Sequence, residues 1–333
     1  MNSIKKHIKN ITGLTFRAYC NAFNALNDKT FIFMYHRVQD DSDNNLYDSA
    51  MFVKKSSLEM HINELSKCFN IISIEDIDNE DKITSKPQCI LTFDDGWSDN
   101  YYYALPVLSS TGFPATIFIT MNYIGTKNNF WFHNIWLLAQ NCLLNRTDLE
   151  FFNYFSRHVE YDGDHNIDES NVAAIISALK ACSPEEIEII VNNAIIEFGL
   201  EVNSTQTMLT WDQVNELIDN GITIGSHGMN HHILTRINPE QRKYEITESL
   251  SILKNKVYGL SKYFCYPNGN YDVATINLVK EAGYIGAIGT EIGYNTHKTN
   301  NFCLNRIAIH DEISSSPGLL WFRILQAYIK TGH

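Results

Sequence analysis

Short runs of β-forming residues alternate along this chain with stretches of helical periodicity, and that alternation admits few architectures beyond parallel strands joined by crossover helices. Thr30 to Tyr35 (TFIFMY) reads as a strand. A helix follows, in which Ser56 and Glu59 have capping-box spacing and Leu58, Ile62, Leu65 and Phe69 recur on one face. Strands over Ile71 to Ile74 and Cys89 to Phe93 come next, then a helix from Asp99 that bends or ends near Pro106, and a strand over Ala115 to Ile119. From about Gly125 to Asn203 the alternation stops and the pattern becomes almost wholly helical, with Ser183-Pro184-Glu185-Glu186 as an N-terminal helix signal. This stretch, about 125–205, reads as a helical insertion. Beyond it Thr210 and Gln213 open a helix that Gly221 ends, and the strand Ile222 to Ile224 follows. A long helix from Asn238-Pro239 to Gly259, a strand over Lys262 to Tyr266, a helix over Asp272 to Ala282 and strands over Tyr284 to Ile288 and Cys303 to Ile309 complete the series. The fold class is α/β, and 333 residues accommodate a single β/α barrel with an insertion.

Two stretches interrupt the apolar pattern where strands end. Ile90 to Trp97 reads ILTFDDGW: a buried strand stops at two adjacent carboxylates and a glycine. Asp-Gly is a common turn dipeptide, so this pair alone reads equally as punctuation. The second stretch, Ser226-His227-Gly228-Met229-Asn230-His231-His232, follows another strand. On one helical turn His227 and His231 would share a face, a spacing suited to one divalent ion and equally common in exposed helices. Together the two stretches say more than either. Both fall at the C-terminal end of a strand, where barrels and open α/β sheets place their active sites. Two histidines and one carboxylate leave a metal position open for water, as in hydrolytic zinc sites. The remaining carboxylate is then available to face that water, and two abutting negative charges become tolerable beside a cation.

With these pieces in place the chain resembles the polysaccharide deacetylases, NodB-homology carbohydrate esterases that remove N-acetyl or O-acetyl groups from glycans. TFDDG at 92–96, SHGMNH at 226–231 and YPNGNYD at 266–272 carry the likeness in the family's order. MYHRV at 34–38 looks like the opening of the subgroup that includes exopolysaccharide deacetylases. The resemblance spans about 30–310 apart from the insertion. It implies a distorted (β/α) barrel, placed here over 28–312; the residue pattern adds an N-terminal amphipathic helical segment at 1–27 and a C-terminal helix at 313–333. Carried over residue by residue, it implies Asp95, His227 and His231 as ligands of a divalent metal ion and Asp94 as the general base. Zinc suits the ligand types, and such a site also accepts other first-row metals. The implied proton donor is His36 in the MYHRV subgroup or His310 in the commoner pattern. His36 is favoured here because it sits at a strand end.

The third motif departs from the family pattern. Cys265 stands where an arginine is usual before the proline, and Asn268 where an aromatic residue follows it. The backbone N–H of Asn268 remains suited to an oxyanion, although Pro-Asn-Gly is also an ordinary turn. A cysteine supplies no charge to steady the base, so Arg306 on the last strand is expected to pair with Asp94. Gly228 replaces a hydroxyl residue often found after the first histidine, with ligation expected to survive. Among nearby aromatics, Trp97 is the one expected to stack on a sugar ring, while Tyr101, Trp131, Phe132 and Trp211 read as core.

Together with the resemblance, these features imply a metal-dependent hydrolase expected to remove N-acetyl groups from the amino sugars of a polysaccharide or glycan precursor. An O-acetyl esterase, a non-sugar amidase or a non-catalytic glycan-binding protein are the alternatives. A glycosidase fits poorly, because its two carboxyls must flank the scissile bond. A net charge of -12 argues against a nucleic-acid partner. Seven scattered cysteines with no C-x-x-C pair suit a reducing compartment, so the expected location is cytoplasmic, at or near the inner face of the membrane. Ile4, Ile8 and Ile11 share one helical face apart from Lys5, Lys6 and Lys9. That face suits docking on the chain's own body, the commoner use, or peripheral contact with an anionic membrane. The run Leu319 to Leu325 raises the same question and reads as a cap on the core.

Overall fold

In a computed structural model describing residues 3–43, 49–79, 86–201 and 207–332, the chain opens with α1 (Ser3–Phe23), β1 (Thr30–Tyr35), β2 (Arg37–Gln39) and β3 (Phe52–Lys54). Then come α2 (Lys55–Cys68), β4 (Asn70–Ile71), β5 (Gln88–Asp95), α3 (Leu105–Thr111) and β6 (Ala115–Ile119). Four helices follow: α4 (Trp131–Asn145), α5 (Asp148–Phe155), α6 (Glu169–Leu179) and α7 (Pro184–Glu197). The chain continues through α8 (Trp211–Asp219), β7 (Ile222–Ser226), α9 (Pro239–Lys256), β8 (Leu260–Cys265) and α10 (Val273–Ala282). It finishes with β9 (Gly286–Ile288), β10 (Ile307–Ala308), α11 (Asp311–Ser314) and α12 (Pro317–Thr331).

The chain divides into two units. The smaller holds Thr126–Met208, with α4 to α7 packed around a core of their own that includes Ile135, Phe151, Phe155, Ile175 and Val191. Its Ser183–Glu186 capping box forms as the sequence suggests.

The larger unit is built on a parallel sheet in the order β10-β1-β5-β6-β7-β8-β9, with β4 added beside the first residues of β5. Leu304, just before β10, bridges Ile288 of β9, while Ile307 and Ala308 pair with Phe33 and Met34 of β1. One short stretch therefore ties the two sheet edges, and the sheet curls into the expected distorted barrel. β1 is an unbroken apolar run because both its faces are covered. Phe31, Phe33 and Tyr35 belong to the main core cluster, and Ile32 joins Ile90, Phe118 and Ile288 in a second one. The run Leu319 to Leu325 does cap the core, with Leu319, Leu320, Trp321 and Ile324 buried.

Several local expectations change. The Ser56–Glu59 capping box does not form: α2 starts at Lys55, and the Ser56 hydroxyl donates to Asp41 at 2.5 Å. The helix expected after Asp99 is a π-helical turn over Asn100–Ala104 that passes into α3, with Pro106 tolerated in the first turn, where it costs no hydrogen bond. The strands expected at 71–74, 284–288 and 303–309 shrink to β4, β9 and β10, since ladder pairing ends where a neighbour does.

The largest change concerns α1. It docks along α12, but through Gly13, Phe16 and Cys20, not through its isoleucines. A Cβ on Gly13 would lie 1.8 Å from the Gly318 carbonyl oxygen, so glycine is what lets the two backbones approach. Ile4, Ile8 and Ile11 remain 68%, 58% and 51% exposed.

Candidate active site

Asp94 and Asp95 end β5, and both are buried. Asp94 shares the strand face of Thr92, and Arg306 reaches it from just before β10. The guanidinium grips Asp94 bidentately, Nη1 to Oδ1 at 2.8 Å and Nη2 to Oδ2 at 2.7 Å. Its other N–H groups donate to the Gly289 carbonyl, Thr92 Oγ1 and Cys265 Sγ, so the five donors of this fully buried cation are all engaged. Burial pushes the Asp94 pKa up, but the Arg306 charge, then His227 and the Arg306 hydrogen bonds, hold it below the ordinary carboxylate range. The expected Arg306–Asp94 pair is present. Arg306 is correspondingly sealed from substrate, so a direct substrate-binding role is ruled out.

Asp95 leaves the strand's alternation through a φ of 81°. Its Oδ2 accepts from Trp97 Nε1 at 2.8 Å, which corrects the reading of Trp97 as a sugar platform: its indole is 1% exposed and orients a carboxylate. The Arg37 guanidinium lies over Trp97 and Phe52, at 4.3 Å and 4.6 Å from the rings, and donates to Asp99 at 2.7 Å. Asn100 meanwhile donates to the His36 carbonyl at 2.8 Å. The MYHRV and DDGWSDN segments are thus clamped to one another, a role for Arg37, Asp99 and Asn100 that no single motif announced.

His227 and His231 meet Asp95 by a different route from the helical turn expected. Residues 227–232 form a loop, with φ of 81° at Gly228 and 59° at His231 folding both rings inward. His227 Nδ1 faces the Cys265 carbonyl at 2.9 Å, and since a carbonyl only accepts, Nδ1 carries the proton and Nε2 presents its lone pair. Nε2 of His227 and Nε2 of His231 lie 3.5 Å and 3.3 Å from Asp95 Oδ1. Burial lowers the His227 pKa to about 4, leaving a neutral imidazole fit to ligate. Burial raises that of Asp95, yet His231, His36 and His227 more than offset it.

The loop is held by Glu245 of α9, a buried carboxylate the sequence reading passed over. Its Oε2 accepts from the backbone N–H groups of Met229 and Asn230 at 2.8 Å and 2.9 Å, and its Oε1 accepts from Asn230 Nδ2 at 2.7 Å. A Cβ on Gly228 would come within 2.9 Å of Oε2, so the usual hydroxyl residue is excluded where this carboxylate takes over the loop. Arg242, Glu245, Ile246, Ser249, Leu250 and Leu253 form the inner face of α9, and the available signal was a charge in that apolar register. Glu245→Ala is expected to weaken divalent-metal affinity by about 10–100-fold, the usual cost of losing a residue that orients ligands. Competition against a chelator measures it, and an unchanged affinity would remove this role.

The donor set fits a divalent cation. Asp95 Oδ1 is buried without a hydrogen-bond partner, an acceptor left for something the protein does not supply, and two imidazole nitrogens converge on it. Of the candidate proton donors, His36 Nε2 lies 4.0 Å from Asp94 Oδ2 and its side chain is partly exposed. Burial pushes the His310 pKa down, and its Nδ1 is enclosed without a partner. Asn268 sits in the tight turn Pro267–Gly269 with φ of 56°, its side chain donating to Asn270.

One buried carboxylate and two imidazoles around a point, beside a second carboxylate kept ionised, define a hydrolytic metal centre at the C-terminal ends of barrel strands. The chain matches the polysaccharide deacetylase family over residues 81–287, more than half its length, and it belongs to that family. It is therefore a hydrolase that deacetylates polysaccharide. YxkH of Bacillus subtilis (strain 168), a relative described by the same family name, is 22% identical over 289 residues, covering 86% of this chain and 73% of its own. The fold is shared with the Streptococcus pyogenes deacetylase PplD, solved in complex with acetate, at TM-score 0.55 and 18% identity over 90% of this chain and 97% of that one. A polysaccharide deacetylase from Bacillus cereus superposes at TM-score 0.56 with 16% identity, over 89% and 69% of the two chains.

Proposed function

We propose that the chain removes N-acetyl groups from the amino sugars of a polysaccharide or its precursor, in the exopolysaccharide manner, with zinc held by Asp95, His227 and His231. The observation that carries this reading is the convergence of those three side chains beside an Asp94 that Arg306 keeps ionised. A divalent ion there would lower the pKa of water toward ~7 and polarise the acyl carbonyl. Asp94 takes the proton of the attacking water, the backbone N–H of Asn268 receives the developing oxyanion, and His36 protonates the departing amine, which leaves poorly as an anion. Two observations favour His36 over His310. It borders Asp94 and reaches solvent, whereas burial pushes the His310 pKa down, so less of it carries a proton to give.

We place the enzyme in the cytoplasm at the inner face of the membrane. All seven cysteines are free, which suits a reducing compartment, and the exposed isoleucine face of α1 suits lipid. Among the described residues no helix is long and apolar enough to cross a membrane.

The purified protein should release acetate from N-acetylated oligosaccharides in proportion to bound zinc. Release only from O-acetylated substrates, or from none, would overturn the reading. His36→Ala is expected to lower that rate by about 10²-fold with metal content intact. Retention of full activity by this variant, with the loss appearing in His310→Ala, would transfer the donor role.

A further inference from the structure

Asp95 depends on a neighbour for its direction. Its φ of 81° is a left-handed conformation in which the alternation of the strand no longer says where the side chain points. The Trp97 Nε1–H, donated to Oδ2 at 2.8 Å, turns that oxygen away and leaves Oδ1 facing the two imidazoles. An indole has a single donor, so the direction of Asp95 follows the plane of the Trp97 ring. That ring lies against the Arg37 guanidinium, whose carbon is 4.3 Å from the Trp97 centroid and 4.6 Å from that of Phe52.

Arg37 is held as firmly as it holds. Its Nε donates to Asp99 Oδ2 at 2.7 Å, and Asp99 Oδ1 accepts from the Val38 N–H at 3.2 Å and from Asn100 Nδ2 at 3.1 Å. Asn100 Nδ2 also donates to the His36 carbonyl at 2.8 Å. The peptide groups on both sides of Arg37 are thereby fixed, and with them the stem of His36, whose Nε2 lies 4.0 Å from Asp94 Oδ2. Asp99 and Asn100 are buried, and the side chain of Arg37 is only 15% exposed. For stability alone, well-packed apolar side chains serve as well as such an ion pair or better. What a guanidinium adds is a flat face and donors in fixed directions, which suit a group that holds a ring and a carboxylate at once.

We propose that Arg37 is a positioning residue that sets two parts of the site in one frame. Through Trp97 it aims Asp95 at the metal position, and through Asp99 and Asn100 it seats His36 beside Asp94. Arg37 acts on both through other residues and is not itself catalytic. The Asp95 half stands on the donor set alone; the His36 half rests on the deacetylase reading, in which His36 protonates the amine.

Titration of the metal-free full chain with zinc, in competition with a chromophoric chelator, tests the Asp95 half. Arg37→Met should weaken zinc binding by about tenfold, and Trp97→Phe, which keeps a ring and deletes the N–H, by at least as much. In the double variant the affinity should stay within about twofold of Trp97→Phe, because Arg37 then has no N–H to aim. This half falls if Arg37→Met binds zinc like the wild type, or if the two losses multiply as they would for a residue that merely supports the fold. Should Arg37→Met not fold, Arg37→Lys enters the same cycle with the same expectations, since it keeps the charge and loses the flat face and the Nε–H. A lysine variant with wild-type zinc affinity would equally overturn this half. Acetate release from a soluble N-acetylated oligosaccharide at saturating zinc tests the His36 half. Arg37→Met should lower kcat by about tenfold with KM within about twofold of wild type. In a His36→Ala background the same change should cost under about threefold, because the group it seats is gone. A raised KM with kcat intact, or an undiminished loss in the His36→Ala background, would overturn the His36 half. Should the wild type release acetate from no substrate, the deacetylase reading falls with that half, and the zinc titration still decides the other.

Discussion

Asp94→Asn is expected to lower the rate of acetate release by about 10²–10⁴-fold, the range over which a positioned general base contributes, while the metal stays bound. The expectation follows from the division of labour between adjacent carboxylates. Asp95 points at two imidazoles and at Trp97, and Asp94 points at Arg306 and His36. Asparagine keeps the size and one acceptor oxygen of Asp94 but cannot accept a proton at any accessible pH, so the loss should persist across the whole pH range. The substitution also turns an amide N–H toward Arg306 Nη2, so some loss of stability accompanies it. Measured metal content and circular dichroism separate that effect from chemistry. Activity within a few-fold of wild type, with metal bound, would remove Asp94 from the role of base.

What the sequence made legible divides along a physical line. β1 and β6 are readable to the residue because strands covered on both faces are continuous apolar runs, and the Thr210–Gln213 capping box is readable because it is local. β9 and β10 are overread because a strand's length depends on its neighbours' reach, which no local pattern encodes. At the site, each motif is visible but the path that brings the imidazoles to Asp95 is not. A left-handed φ at His231 is a tertiary choice imposed by Glu245 and the loop. Trp97 misled for a related reason: near a motif, an aromatic reads as a ligand platform until its N–H is found to have a buried partner. α1 carries apolar residues on two opposite sides, Ile4, Ile8 and Ile11 on one and Phe16 and Cys20 on the other, so its periodicity could not say which face docks. Arg306 was the exception, a partner 212 residues from Asp94 that became legible because Cys265 left the base without a counter-charge.

That pairing carries the second large effect. Arg306→Met should destabilise the fold by about 3–5 kcal/mol, since it leaves the carboxylate of Asp94 buried and uncompensated. Its consequence for catalysis has a sign that distinguishes it from Asp94→Asn. In the wild type the guanidinium depresses the Asp94 pKa, so its stabilisation is complete above the ordinary carboxylate pKa of about 4 and disappears as pH falls through the lowered native value. Without the guanidinium, burial dominates and the Asp94 pKa rises. The acidic limb of the pH–rate profile should then move upward and the protein should unfold at a higher pH on acidification, while activity recovers as pH rises, which it cannot do in Asp94→Asn. Combining the two substitutions should be less destabilising than the sum of the single changes, because each alone strands a partner that the double variant removes. An acidic limb that stays in place in Arg306→Met, or additive losses in the double variant, would mean that Asp94 is kept ionised by something other than Arg306.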